Sequence, residues 1–182
     1  MQDKINSSEH VYLIVGSGED KIADWISSDY PIFDLKNYIH WELLFNKRPW
    51  EKILAEHVVE HLYLEDFKDI LKLSKKYAAE GATLRVAVPD GYSTLDGYID
   101  AVKPGGTGAG AFDHKVLYDY MKMKKISDDL KIKCSFVEYF DENGSFFSVY
   151  SEDNGFIKRC KKNDPRNSNF LQYTSLIVDF YF

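Results

Sequence analysis

The sequence of 182 residues predicts a single α/β domain, residues 1–182, built on a mostly parallel β-sheet. Two observations lead to this fold class. Residues 11–15 form a continuous apolar run that ends at a glycine turn, which is typical of a strand buried on both faces. Further along, a strand, an amphipathic helix and a second strand follow one another within about forty residues, as in a βαβ unit with parallel strands and a right-handed crossover.

The other elements follow from local patterns. After the first run, strands are predicted over residues 25–28, 52–55, 82–88, 132–140 and 174–181. A helix over 64–79 has acids in its first turn, lysines in its last turn and Gly81 as its stop, which complements the helix dipole. A second amphipathic helix is predicted over 116–130, after a long glycine-rich loop at 91–112. Residues 153–155 supply the turn of a hairpin between the last two strands.

Composition and charge exclude several classes of protein. The 23 Lys and Arg residues against 29 Asp and Glu give a net charge of -6, which disfavours general binding to nucleic acid. Cys134 and Cys160 lack CxxC spacing, so we expect neither a disulfide framework nor a cysteine zinc site, and a reducing cytoplasm fits best. No apolar run approaches the ~20 residues that cross a bilayer, so we expect a soluble protein with no membrane segment. The oligomeric state is not indicated.

Polar residues follow four of the predicted strands. They are Gly16-Ser17-Gly18, Asp29, Glu56-His57 and Pro89-Asp90. In an open parallel sheet the ligand lies at the carboxyl ends of the strands. Glycines there let the backbone approach a ligand, and an acid after the second strand can accept both hydroxyls of a ribose. The pattern therefore predicts a nucleoside site.

The residues after the glycine turn separate two nucleoside cofactors. Gly18 is followed by Glu19 and Asp20, whereas a dinucleotide fingerprint requires a third glycine in this turn. Two acids disfavour a diphosphate but tolerate S-adenosylmethionine, which has no phosphate and carries a sulfonium cation. A nicotinamide-dependent oxidoreductase remains an alternative, which the missing third glycine disfavours.

Several motifs together resemble a known family. They are Val-Gly-Ser-Gly at 15–18, Asp-Tyr-Pro at 29–31, Ala-Glu-His-Val-Val-Glu-His-Leu at 55–62 and Leu-Arg-Val-Ala-Val-Pro-Asp-Gly-Tyr at 84–92. These look like class I S-adenosylmethionine-dependent methyltransferases. A more specific set matches a small bacterial subgroup of predicted methyltransferases, the type 11-like enzymes: Val-Lys-Pro-Gly-Gly-Thr-Gly at 102–108, Asp-His-Lys-Val-Leu-Tyr-Asp-Tyr at 113–120, Glu-Tyr-Phe-Asp at 138–141, Asp-Pro-Arg-Asn at 164–167 and Tyr-Thr-Ser-Leu-Ile-Val-Asp at 173–179.

The resemblance implies a Rossmann-like three-layer sandwich with an antiparallel C-terminal strand, and it implies S-adenosylmethionine as cofactor. It also implies the roles of the site residues: Gly16, Ser17 and Gly18 around the methionine moiety, Asp29 on the ribose, Asp34 and Leu35 near the adenine edge, and Glu56 and His57 close to the sulfonium. Asp29 follows Gly18 too closely for a full crossover helix. This departure keeps open a non-catalytic binding or regulatory domain.

Histidines are the candidate catalytic groups, because methyl transfer requires removal of a proton from the acceptor near neutral pH. We select His57 and His114 as candidate bases and interpret Asp113 as the N-cap of the following helix. His57 and His61 also match His-x-x-Glu-His, a spelling found in zinc peptidases. Because that motif directly follows a strand, we predict no metal site and a packed or capping role for His61.

Two further segments bear on the acceptor. The glycine-rich loop is interpreted as a lid over the substrate or as a plain surface loop. The positive cluster Lys158, Arg159, Lys161, Lys162 and Arg166 is interpreted as a solvated face or as a dock for an anionic sugar. A small-molecule or carbohydrate-like acceptor is expected because the subgroup resembles proteins of bacterial surface polysaccharide biosynthesis.

Overall fold

The computed structural model describes the whole chain, residues 1–182, and is organised around one seven-stranded mixed sheet. The strands are β1 (Tyr12–Val15), β2 (Ile26–Ser28), β3 (Trp50–Glu56), β4 (Ala78–Val88), β5 (Lys133–Phe140), β6 (Phe146–Ser148) and β7 (Leu176–Tyr181). The helices are α1 (Gln2–Ser7), α2 (Tyr38–Phe45), α3 (Leu64–Tyr77), α4 (Tyr98–Val102) and α5 (Tyr120–Leu130), with 3-10 turns at Val59–His61, Ala111–Asp113 and Pro165–Asn167.

The sheet has the order β2-β1-β3-β4-β7-β5-β6. The first four strands in this order are parallel to one another, and β7 runs antiparallel to both β4 and β5. The predicted fold class, a mostly parallel sheet with an antiparallel C-terminal strand, is confirmed. The chain changes direction from β1 outwards to β2 on one side and to β3 on the other, which opens a crevice at the carboxyl ends of these strands.

Alternating residues of the strands build a core on each face of the sheet, as the period of two requires. On β1, Leu13 and Val15 join the larger cluster, to which α1, α2, α3 and α5 also contribute buried side chains. Ile14 points to the other face and joins a smaller cluster with Ile157 and Cys160. Irregular backbone at 155–160, rather than a long helix, thus covers the second face near the crevice.

The helix α3 confirms the clearest of the predicted elements. Its buried residues Phe67, Ile70, Leu71 and Ser74 lie at helical spacing, with acids in the first turn and lysines in the last. It ends at Tyr77, and the chain enters β4 directly at Ala78. Gly81 is therefore not the helix stop. It lies inside the long strand, at a φ of +76°.

Three other predictions of local structure are corrected. The helix expected at 116–130 begins at Tyr120, where the side chain of Asp119 accepts the N–H of Lys122 at 2.7 Å. The hairpin turn is at 141–144, between β5 and β6, and not at 153–155. The segment at 91–112 includes the helix α4 and a 3-10 turn rather than loop alone. No helix joins β1 to β2, in agreement with the short connection in the sequence.

None of the helices is both long and apolar enough to cross a membrane.

Candidate cofactor site

The turn after β1 is held open by its glycines and fastened to the neighbouring strand. Gly16 has a φ of +60° and Gly18 a φ of +52°, in the left-handed region that favours glycine. The N–H of Ser17 donates to the carbonyl of Ser28, at the end of β2, at 3.1 Å. The N–H of Gly18 donates to the carboxylate of Asp29 at 2.9 Å. The carboxyl ends of β1 and β2 therefore form one rigid unit.

Asp29 directly follows β2, as predicted, but both oxygens of its carboxylate accept hydrogen bonds from backbone N–H groups. Besides Gly18, it accepts the N–H of Tyr30 at 2.9 Å. Asp34 accepts the N–H of Lys36, and the carbonyl of Leu35 accepts the indole N–H of Trp41. None of the three predicted residues, Asp29, Asp34 and Leu35, lines the cleft described next.

A cleft of about 830 Å³ lies at the carboxyl ends of β1 and β3. Its walls come from the glycine turn, the end of β3, the 3-10 turn that follows β3, the end of α4 and the segment at 156–159. Of the predicted site residues, it contains Gly16, Ser17, Gly18, Glu56, His57 and His114. Two acids of the turn, Glu19 and Asp20, also line it. Its volume lies in the range of about 300–1,000 Å³ that is usual for small-molecule and cofactor sites.

Glu56, the last residue of β3, fastens the far wall of this cleft. Its carboxylate accepts the backbone N–H of Lys158 at 3.0 Å and of Arg159 at 2.8 Å. The ammonium group of Lys158 forms an ion pair with Asp20 on the opposite side. The segment around 158 therefore bridges from β3 to the glycine turn. Nothing in the sequence spacing indicated that this segment reaches the site.

His57 lines the cleft and has a strained backbone conformation, with a φ of +54°. Its Nε2 lies 2.9 Å from the hydroxyl of Ser175, and that hydroxyl donates to the carbonyl of Arg159 at 2.7 Å. Because the single hydroxyl hydrogen is used there, Nε2 of His57 is the donor in the first bond. Its Nδ1 lies 3.1 Å from Oε1 of Glu60, so both ring nitrogens face protein atoms.

His61 and His114 lie side by side, with ring centroids 4.8 Å apart. The pairing has a backbone cause, since the N–H of Lys115 donates to the carbonyl of Glu60 at 2.7 Å. Nδ1 of His114 donates to the carbonyl of Val102 at 2.7 Å, because a carbonyl can only accept. Nε2 of His114 is then the atom with a lone pair in the neutral ring.

Asp113 is not the N-cap that the sequence suggested. It is the last residue of the 3-10 turn Ala111–Asp113, and the next helix starts only at Tyr120. Its carboxylate lies 2.6 Å from Nζ of Lys115 and 3.2 Å from Nδ1 of His61. These two partners, Lys115 first, hold the pKa of Asp113 below its usual range. An ionised carboxylate therefore orients His61.

The positive cluster at 158–166 is largely neutralised by acids. Lys158 pairs with Asp20, Arg159 lies 3.8 Å from Glu56, Lys162 lies 2.7 Å from Glu152, and Arg166 lies 2.6 Å from Asp164. Lys161 lies over the ring of Phe146 instead. Lys158, Arg159 and Arg166 line the cleft, whereas the other two lysines do not.

Glu60 and Tyr173 are cleft residues that the sequence analysis did not select. Glu60 is 1% exposed, although it belongs to the His-x-x-Glu-His motif that was considered. Tyr173 stacks under Arg166, whose guanidinium carbon lies 3.6 Å from the ring centroid, and burial raises the pKa of this phenol. No periodicity marks either residue, because both reach the cleft through tertiary contacts.

The arrangement can accommodate a small, positively charged or neutral ligand. Glu19, Asp20, Glu56 and Glu60 bring four carboxylates to the cleft, of which Glu56 and Asp20 already hold positive or N–H partners. Two acids beside the glycine turn would repel a diphosphate. Imidazole nitrogens of His61 and His114 provide lone pairs for accepting protons or binding cations.

Comparison with known proteins finds similar folds but no relative by sequence. No family model matches the chain, and no curated protein matches its sequence. Solved structures do match: a SAM-dependent methyltransferase from Archaeoglobus fulgidus at 16% identity and a TM-score of 0.53, over 99% of this chain and 89% of that one.

Two further structures match in the same way. A cyclopropane-fatty-acyl-phospholipid synthase-like protein from Lactobacillus casei is 11% identical with a TM-score of 0.55, over 95% of this chain and 75% of that one. A SAM-dependent methyltransferase from Thermotoga maritima is 10% identical with a TM-score of 0.51, over 98% and 87% of the two chains. At these identities the similarity establishes a Rossmann-like methyltransferase fold.

Proposed function

We propose that this protein is an S-adenosylmethionine-dependent methyltransferase that binds its cofactor in the cleft at the ends of β1 and β3. One observation carries the proposal: in a fold shared with methyltransferases, a glycine turn opens directly onto a cleft at the point where the strand order changes direction. The acid Glu19 on the same turn favours a cofactor with a cationic centre over one with a diphosphate, whereas Asp20 is already paired with Lys158.

The cofactor roles implied by the sequence are proposed for the residues that the fold brings to this edge. Gly16, Ser17 and Gly18 would hold the methionine moiety. Asp29 would accept the ribose hydroxyls with the lone pairs that its two backbone donors leave free. Asp34 and Leu35 would lie at the adenine edge, outside the cleft. Glu56 would act through the segment that it fastens over the site.

The cofactor, when bound, supplies a methyl group activated on sulfur, and the protein must align an acceptor and remove its proton. Of the two candidate bases, His114 fits this task better. Its Nδ1 is fixed on Val102, which leaves Nε2 able to accept a proton. His57 donates through Nε2 to Ser175 and faces Glu60 with Nδ1, so we assign it to positioning.

We propose a small-molecule acceptor, with an anionic sugar of bacterial surface polysaccharide synthesis as the more specific expectation. Four basic side chains line the cleft, which supports an anionic group: Lys21, Lys158, Arg159 and Arg166. The last three already have an acidic neighbour, so such an acceptor would have to compete for them.

A thermal unfolding titration with S-adenosylhomocysteine, S-adenosylmethionine and NAD tests the cofactor. A ligand that binds only the folded chain at a hundredfold excess over its Kd adds about 2.7 kcal/mol to the free energy of unfolding. For a chain of this size that is a rise in Tm of roughly 5–11 °C. We expect this rise with the two adenosyl compounds and none with NAD. A shift with NAD alone would contradict the proposal.

Asp29→Ala and Asp29→Asn test the ribose contact, with Asp69→Ala as a control, because Asp69 lies on α3 and forms an exposed ion pair with Lys72. We expect weaker binding of S-adenosylhomocysteine in both Asp29 variants, and more so in Asp29→Ala. Unchanged affinity in Asp29→Ala, with a normal unfolding transition, would remove this residue from the site.

A non-catalytic binding domain is the second candidate, because no helix joins β1 to β2 and the adenosine side of the site is correspondingly short. The two candidates differ in turnover. Incubation with cofactor labelled in the methyl group and fractionated small molecules should yield a labelled product in the methyltransferase. Firm cofactor binding with no labelled product from any fraction would favour the binding domain.

A further inference from the structure

We propose that Glu60, His61 and His114 form a binding site for a divalent transition-metal ion within the cleft. One donor atom from each of the three side chains lies within 4.8 Å of the other two. Two imidazoles and one carboxylate are a donor set that Zn²⁺ accepts in sites with an open coordination position. The same set also suits Fe²⁺ and other first-row divalent ions.

The buried carboxylate of Glu60 requires a positively charged partner. Its side chain is 1% exposed, and neither carboxylate oxygen has a hydrogen-bond donor. Nδ1 of His57 lies 3.1 Å from Oε1 of Glu60 but does not form a hydrogen bond with it. A buried carboxylate without donors is expensive, and coordination of a metal ion is one of the ways in which proteins compensate it. Glu60 also lines the cleft, where an ion can enter.

Both histidines are oriented as metal ligands usually are. A ligating imidazole commonly donates its other N–H to a carboxylate or a backbone carbonyl, which fixes the tautomer and the ring. Here Nδ1 of His61 faces the carboxylate of Asp113 at 3.2 Å, and Nδ1 of His114 donates to the carbonyl of Val102 at 2.7 Å. These contacts leave Nε2 of each ring as the metal-binding atom.

The distances require only a local adjustment. With bonds of about 2.1 Å, tetrahedral ligands lie about 3.4 Å apart, so donor atoms within 4.8 Å of one another must approach by at most about 1.4 Å. Side-chain rotation can supply this, because His61 is partly exposed and Asp113 lies at the surface. The backbone bond from Lys115 to Glu60 already holds the two segments together.

The ion would border the cavity, since all three ligands line it, and its remaining coordination positions would accept an oxygen atom of the methyl acceptor. His114 would then hold the ion rather than a proton. This role for the ion rests on the proposed function. The binding of the ion itself does not, because it depends only on the three side chains.

The test is metal binding by the full chain after treatment with a chelator. We expect one Zn²⁺ per chain by elemental analysis, and Co²⁺ should give the visible absorption bands of a four- or five-coordinate site. Glu60→Gln and His61→Asn should each lower Zn²⁺ affinity at least ~10-fold, and Asp113→Asn should lower it ~10–100-fold. The matched control is His10→Gln, which removes a histidine that pairs with a carboxylate at 2.9 Å outside the cleft.

Thermal unfolding of each variant shows whether it is folded. We expect His61→Asn to disturb the fold least, because the side chain of His61 is one-third exposed to solvent. A wild-type chain that binds neither Zn²⁺ nor Co²⁺ stoichiometrically would overturn the proposal. Equal loss in His10→Gln would also overturn it. Binding of S-adenosylhomocysteine is scored separately, so failure of the proposed function and failure of the metal site give different results.

Discussion

The two glycines of the turn after β1 should differ in how much an alanine substitution lowers the free energy of unfolding. Both have positive φ angles, +60° at Gly16 and +52° at Gly18. A Cβ atom at Gly16 would lie 2.4 Å from Cγ2 of Val58, whereas a Cβ atom at Gly18 would have nothing within 4 Å. Substitution by alanine therefore adds backbone strain at both positions and a steric clash at only one.

The magnitudes follow from these two contributions. Left-handed backbone costs a non-glycine residue about 1–2 kcal/mol, and overpacking a well-packed site costs about 1–3 kcal/mol. We expect Gly18→Ala to lower the free energy of unfolding by about 1–2 kcal/mol and Gly16→Ala by about 2–5 kcal/mol. Urea unfolding followed by circular dichroism measures both, and the slope of the transition should not change.

The clash can be isolated with a double-mutant cycle. Val58→Ala removes the atom that a Cβ at Gly16 would meet, so the double variant Gly16→Ala/Val58→Ala should be more stable than the sum of the single effects predicts. Coupling energies between contacting residues are about 0.5–3 kcal/mol. Equal losses for the two glycine variants, or a cycle with no coupling, would refute the close approach of the turn to Val58.

Three further predictions concern buried groups. Arg85→Met leaves Asp179 buried without the guanidinium that lies 2.7 Å away, so we expect a loss of about 3–5 kcal/mol in urea unfolding, much of it recovered in the double variant Arg85→Met/Asp179→Leu. Burial raises the pKa of Asp90 to about 6. Between about pH 4 and about pH 6 the carboxyl of Asp90 therefore keeps its proton in the folded chain and loses it in the unfolded chain. The free energy of unfolding of the wild type, relative to that of Asp90→Asn, should fall as pH rises through this range. Burial raises the pKa of Cys160 to about 11, so iodoacetamide should label Cys134 and spare Cys160 until the chain unfolds, as mass spectrometry would show.

Elements with a strong local signal were predictable from the sequence. The helix α3 combines spacing, charge at both ends and burial on one face, and these agree because they have one cause, a helix packed on a sheet. The first strand and the glycine turn were predictable for a similar reason, since an apolar run followed by glycines has few other structures. The class of fold follows from such elements.

Elements without such a signal were missed or misplaced. The helix α2 is apolar on nearly all sides, with Trp41, Leu44 and Phe45 buried and Leu43 exposed, so its sequence has no polar face to show its period. The sequence places the start of α5 too early, because Asp113 fits the pattern of an N-cap. In the structure the N-cap is Asp119, whose side chain accepts the N–H of Lys122.

The residues of the candidate site also differ in whether a local sequence signal predicts their position. Residues that follow strands, such as Gly16, Glu56 and His57, reach the cleft because a parallel sheet places its carboxyl ends together. His114 was selected from a motif, but its position beside His61 depends on the bond from Lys115 N–H to the carbonyl of Glu60. That bond joins two irregular segments, and no periodicity encodes such a contact.

The acids of the cleft show why the difference between local and tertiary signals matters for function. Glu56 looks from the sequence like a residue that faces the cofactor, yet its carboxylate accepts the N–H groups of Lys158 and Arg159. An acid at a strand end can bind a ligand, or it can bind the backbone of a segment that covers the ligand. The local sequence does not distinguish these two roles. Glu60, which the sequence analysis includes only as one position of a motif, is the carboxylate left without a hydrogen-bond donor. The unsatisfied acid, rather than the acid at the expected position, is therefore the better guide to a second ligand of this cleft, beside the proposed cofactor.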